Sequence, residues 1–91
     1  MTAGSIEGTM ATIRVFGADW CGDCIRAKRV LQRTGAAYEW IDVEVQAGAA
    51  AEAKVHARGR TNIPVIVFPD GHVLVEPSDP ELERALTERP T

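Results

Sequence analysis

The chain holds two cysteines, and both lie in Trp20-Cys21-Gly22-Asp23-Cys24. A C-x-x-C pair placed where a strand-like run gives way to a helix-like one reads as a redox site, its sulfurs passing between dithiol and disulfide. If Cys21 opens the helix, Cys24 follows at i+3 on the same side, near enough for the sulfurs to meet. Cys21 then faces backbone N–H groups without intrahelical partners and the positive end of the macrodipole, both of which favour the nucleophilic thiolate. Cys24 lies one turn in and shares a face with Ala27, Leu31 and, slightly off axis, Val30, the face a helix buries. Helix geometry therefore assigns Cys21 as the exposed attacking thiol and Cys24 as the shielded resolving thiol. A zinc site would need further ligands, and His56 and His72 have no ligand-like spacing to the pair. No metal is expected, and both histidines are expected to face solvent without a catalytic role.

The elements that must hold this pair are legible around it. Thr12-Ile13-Arg14-Val15-Phe16 alternates as a first strand, ended by Gly17-Ala18-Asp19. The cysteine-bearing helix should run to Gln32 or Arg33, with Gly35 as its C-cap. Tyr38 to Val43 reads as a second strand, and one helix between two strands implies a parallel, right-handed crossover. That puts Cys21 at the carboxyl end of the first strand, where open α/β sheets bind ligands. Ala47 to Arg58 reads as an alanine-rich helix stopped by Gly59, and Ile63 to Phe68 as an apolar central strand with Pro64 near its start. Pro69-Asp70-Gly71-His72 is a hairpin turn leading to an edge strand, Val73 to Val75. The last helix follows Pro77, with Ser78 and Asp79 as competing N-caps and Glu81 completing a capping box to Ser78, and it should end near Thr87.

Ninety-one residues, 45% hydrophobic and 25% charged, make one small domain. So small a core leaves little room for a deep cavity, and a partner should dock on a shallow groove. The net charge of −3 argues against nucleic acid. No run approaches the ~18 apolar residues that span a bilayer, and the opening segment has neither the basic nor the apolar region of a signal peptide. A cytoplasmic monomer is expected, where a reducing environment makes a close cysteine pair catalytic rather than structural. Residues 1–10, rich in Gly, Thr and Ser, read as a disordered leader or a tag remnant.

The order βαβαββα is that of the minimal thioredoxin-type fold, a four-stranded mixed sheet flanked by three helices. Residues 11–88 resemble the glutaredoxin family. The resemblance is carried by Trp20-Cys21-Gly22-Asp23-Cys24 with Ile25-Arg26-Ala27-Lys28, by Asn62-Ile63-Pro64, and by Asp70-Gly71-His72 through Pro77-Ser78-Asp79. Within the family the chain is most similar to mycoredoxins, in its W-C-G-x-C site and its approach to the last helix.

The resemblance implies a thiol-disulfide oxidoreductase that reduces mixed disulfides between oxidised protein substrates and a low-molecular-weight thiol, with mycothiol or glutathione as reducing co-substrate and no tightly bound cofactor. It implies that Pro64 is cis and faces the cysteine pair, leaving the Ile63 backbone to pair with an extended substrate. It also implies that the helix start at Ser78 and Asp79 receives the polar end of the thiol, and Trp20, before the exposed cysteine, should wall the groove. Two departures stand out. Asp23 occupies a position usually held by an uncharged aromatic, and its carboxylate should oppose the Cys21 thiolate. Ala18 and Asp19 stand where several glutaredoxins have a basic residue for the glutathione carboxylate, which favours mycothiol over glutathione. Two other readings remain: a thioredoxin-like electron donor reduced by a flavin reductase, and an iron-sulfur-binding module using Cys21 with small thiols.

Overall fold

The computed structural model describes residues 12–89. The expected leader, residues 1–10, lies outside them. The elements are β1 (Ile13–Gly17), α1 (Gly22–Thr34), β2 (Tyr38–Asp42), α2 (Ala49–His56), β3 (Val65–Val67), β4 (Val73–Val75) and α3 (Asp79–Glu88). This is the expected βαβαββα order. The strands form one mixed sheet in the order β2-β1-β3-β4, with β1 parallel to β2 and antiparallel to β3, and β3 antiparallel to β4. The fold is of the thioredoxin type.

Alternation along β1 divides the core in two. Ile13 and Val15 join Ala27, Val30 and Leu31 of α1, Leu82 and Ala85 of α3, and Ile66. On the other face Phe16 joins Ile41, Val65, Val67 and the alanines Ala49, Ala53 and Ala57. The sheet is thus covered by α1 and α3 on one side and by α2 on the other. The alanines of α2 lack the bulk of a leucine stripe, and they let this short helix lie close over Phe16.

Three of the differences from the expected boundaries have a clear backbone reason. Cys21 is not in the first helical turn but is the N-cap of α1, extended at φ −82° and ψ 114°. Helix α2 is shorter than 47–58 because Gly48 takes φ 80° before it, while Arg58 and Gly59 turn at φ 57° and 92° after it. Strand β3 begins at Val65, not Ile63, because Pro64 offers no N–H to a ladder; the Ile63–Pro64 peptide bond is cis. The Pro64 carbonyl instead accepts from the Glu76 N–H at 2.9 Å, which ties the segment after β4 to the segment before β3.

Candidate active site

As N-cap of α1, Cys21 accepts a hydrogen bond on its own sulfur, where another helix would use a hydroxyl or carboxylate. The Cys24 N–H donates to Cys21 Sγ at 3.2 Å, and the Cys21 thiol points to the Ile63 carbonyl oxygen at 3.9 Å. Both cysteines are free thiols. Cys21 is 8% exposed and Cys24 0%, so the outer sulfur is recessed at the floor of a groove, less open than expected, and the inner one is sealed. Burial pushes the Cys24 thiol up from its usual 9.0 to about 12, reinforced by its hydrogen bond with Cys21, opposed by the Ala18 backbone, and raised further by the weaker effects of the Cys21 and Asp23 charges.

The seal over Cys24 includes Trp40, which is expected from sequence only as a strand residue. Ala18, Cys21 and Cys24 form a small cluster packed against Trp40 and Ile63. A side chain at Gly17 would put its Cβ 2.6 Å from Trp40 Cη2 and 2.7 Å from Cys24 Sγ. Only glycine at the end of β1 lets indole and sulfur close over it. The Lys28 ammonium lies 4.2 Å from the centre of the Trp40 ring, a cation–π contact that holds the indole from the solvent side. A glycine at a strand end and a tryptophan in the neighbouring strand were the available signals, but neither states which sulfur they cover.

The groove above Cys21, about 450 Å³, is lined by Trp20, Cys21, Gly22, Asp23, Thr61, Asn62, Ile63 and Glu76. Trp20 is 68% exposed and its indole N–H donates to Glu44 at 2.8 Å, which fixes the ring as a wall. Pro64 is buried behind Ile63. Ser78 and Asp79 do not line the groove. The Ser78 hydroxyl accepts from the Glu81 N–H at 3.2 Å, while the Glu81 carboxylate accepts from the Ser78 N–H at 2.8 Å. This capping box occupies two of the groups expected to receive a thiol. Asp79 reaches the site only through Arg26, whose guanidinium contacts Asp79 at 3.0 Å and Asp23 at 2.8 Å. Asp23 is therefore half of an ion pair, a partner that the expectation of simple repulsion between Asp23 and Cys21 did not include.

The histidines are placed differently from expectation. Both are half-buried, His56 against Phe16 with ring centres 5.8 Å apart and His72 against Phe68 at 5.9 Å. They are packing residues. Among the described residues no group of three or more His, Cys, Asp or Glu side chains could hold a metal ion.

A sulfur presented at a helix N-terminus, with a second sulfur one turn beneath it and an open groove above, defines a thioredoxin-fold protein equipped for thiol-disulfide exchange. The family profile described as Glutaredoxin matches residues 13–73. A protein of Mycobacterium tuberculosis named as a glutaredoxin, from strains CDC 1551 / Oshkosh and ATCC 25618 / H37Rv, is 32% identical over 76 residues, 84% of this chain and 90% of its own. Among solved structures, a glutaredoxin from Archaeoglobus fulgidus superposes with a TM-score of 0.72 at 21% identity, covering 87% of this chain and 89% of that one. A buckwheat glutaredoxin-glutathione complex superposes at 0.66 and 22% identity, covering 97% of this chain and 89% of that one. The chain belongs to the glutaredoxin family, whose members are thiol-disulfide oxidoreductases.

Proposed function

We propose that this protein reduces mixed disulfides between proteins and a low-molecular-weight thiol, with mycothiol preferred to glutathione. The observation that carries the reading is the Cys21 sulfur capping α1 at the floor of an open groove. The Cys21 thiolate attacks the small-thiol sulfur of the mixed disulfide; the protein substrate leaves as its thiolate and takes a proton from solvent. The thiol is left bonded to Cys21. One route out is attack by a second small thiolate, which forms the symmetrical small-thiol disulfide and restores Cys21. On the other route Cys24 loses its proton and attacks Cys21 Sγ, expelling the small thiol and closing a Cys21–Cys24 disulfide, which two electrons from a thiol or a reductase reopen.

The environment of Cys24 orders these steps. Burial holds its proton first, and the hydrogen bond and charge of Cys21 add to that hold. Both Cys21 contributions are lost once Cys21 is bonded to the small thiol. The resolving sulfur therefore becomes easier to ionise after the first step and not before.

The preference for mycothiol rests on charge. Glutathione carries carboxylates, and among the described residues no Lys, Arg or His lines the groove, while Ala18 is buried and Asp19 is acidic. A hydroxyl-rich thiol needs no cation. In this reading Ile63 offers its backbone to the extended substrate, Pro64 and Trp20 shape the groove, and Asp23 borders it, while Ser78 and Asp79 stay off it, Asp79 joined to Asp23 through Arg26. We assign the protein, as a monomer, to the cytoplasm, a compartment whose reducing environment makes a close cysteine pair catalytic rather than structural.

The test is turnover of one protein carrying either mycothiol or glutathione in mixed disulfide, on a single enzyme preparation. Faster reduction of the mycothiol form is expected. Equal or faster reduction of the glutathione form overturns the preference, and turnover by Cys21→Ser overturns the mechanism.

A further inference from the structure

Glu76 is the lining residue that neither the redox chemistry nor the core explains. It takes a left-handed backbone, φ 48°, a conformation that costs a residue with a Cβ roughly 1 kcal/mol or more relative to glycine. Its N–H reaches the Pro64 carbonyl, and its carboxylate accepts from Asn62 Nδ2 at 2.8 Å. Asparagine or glycine would meet the same backbone demand more easily. What glutamate adds is a charge, held by Asn62 in the groove that Cys21 opens into.

The neighbouring charges give that carboxylate its meaning. The other acid lining the groove, Asp23, is paired with Arg26, and outside the groove Glu52, Asp70 and Glu83 are paired with Arg14, Arg89 and Arg33. Among the described residues no cation pairs with Glu76. A partner placing its disulfide on Cys21 brings its flanking side chains past a fixed negative charge whose counter-ion the protein does not supply. We propose that Glu76 is a specificity-determining residue that selects protein substrates carrying a lysine or arginine beside the disulfide-bonded cysteine. This rests on the reading of the groove as the site of mixed-disulfide reduction and names the class of protein accepted there.

The chemistry is unchanged: the protein dithiol gives two electrons and two protons to the substrate disulfide, yielding two thiols and the Cys21–Cys24 disulfide. Three short peptides test the selection, each with one cysteine in mixed disulfide with 2-mercaptoethanol and flanked by lysine, serine or glutamate. Pre-reduced protein at low salt should reduce them in the order lysine, serine, glutamate, with about tenfold between the extremes for one charge pair at several ångströms near a protein surface. Glu76→Gln should bring that ratio to within about threefold, and salt near 0.5 M should shrink the wild-type ratio similarly. Glu76→Asn, suited to a left-handed backbone, repeats the test should glutamine unsettle the turn. Glu39→Gln, an exposed residue of β2, makes the same change in net charge away from the groove and should keep the full ratio. A ratio equal in wild type and both Glu76 variants, or lost equally in Glu39→Gln, overturns the selection while leaving the function standing. Failure of wild-type protein to reduce even the serine peptide overturns the function and the selection with it.

Discussion

The backbone N–H of Cys24 donates to Cys21 Sγ at 3.2 Å, so Cys24 serves the outer sulfur twice: its amide steadies the nucleophile, and its thiol later attacks that same sulfur to expel the small thiol. Serine is a good N-cap, and Cys21→Ser should keep α1 and the melting temperature while disulfide reduction falls to background. Cys24→Ser should still turn over by the small-thiol route and accumulate no intramolecular disulfide. Mass spectrometry of the enzyme under turnover, with and without excess thiol, reads both outcomes.

The raised Cys24 thiol makes a prediction in pH. The folded state keeps its proton to about 12, whereas the unfolded chain releases it from its usual 9.0. Above that value the unfolded state binds fewer protons, so the contribution of Cys24 to stability is complete below pH 9 and lost as pH rises toward 12. The expected slope from this group is about 1.4 kcal/mol per pH unit. Urea unfolding of wild type and Cys24→Ala from pH 8 to 11 should show a shallower decline in the variant, whatever its stability at pH 8. Parallel curves would mean that Cys24 titrates alike in both states.

Arg26 bridges the two sides of the site, holding Asp23 beside Cys21 and Asp79 at the start of α3. These are exposed pairs, so little global stability is at stake. The expected effect is on rate. Arg26→Ala should slow attack on an uncharged disulfide about two- to fivefold at low salt by leaving Asp23 unpaired next to the nucleophile. Adding Asp23→Asn should restore the wild-type rate, as should high salt, in stopped-flow measurements of the reduced protein.

How far the sequence led can be seen in particular residues. Cys21, Cys24 and the helix between them follow from local rules of spacing, capping and periodicity, as do the turn at Gly71 and the capping box at Ser78. The Arg26 bridge, the Asn62–Glu76 bond and the closure of Trp40 over Cys24 join residues distant in the chain. No local rule reports them. Asp79 shows the consequence: a side chain read as a cap beside the thiol site is turned toward an arginine on another helix.

Gly17 is the point where β1 is thinned to admit Trp40 and Cys24. A Cβ there meets an indole carbon at 2.6 Å and a sulfur at 2.7 Å, neither of which belongs to a flexible chain end. Gly17→Ala is expected to cost about 1–3 kcal/mol, the usual range for overpacking a core, and to loosen the cover of Cys24. Chemical denaturation measures the first. The second should appear as faster alkylation of Cys24 in folded protein, and alkylation as slow as in wild type would show that the indole stays closed despite the added methyl.

Ser78 separates a cap from a binding site. Its hydroxyl and N–H are both engaged by Glu81, and it lies off the groove that Cys21 opens into. Ser78→Ala should lower stability by about 1 kcal/mol, as loss of an N-cap does. The Glu81 carboxyl, held below its usual range first by the Ser78 N–H and then by the Ser78 hydroxyl, contributes stability above its unfolded value that is lost as pH falls through the lower folded one. Removing the hydroxyl takes away the second of these two causes, so the acid limb of the stability curve should become shallower in the variant. If Ser78 acts only as a cap, KM for a mycothiol mixed disulfide should match wild type once both proteins are fully folded. A KM raised about tenfold with kcat unchanged would instead mean that the thiol displaces Glu81 and takes its place on the helix start, which makes the capping box a gate for the thiol rather than a fixed part of α3.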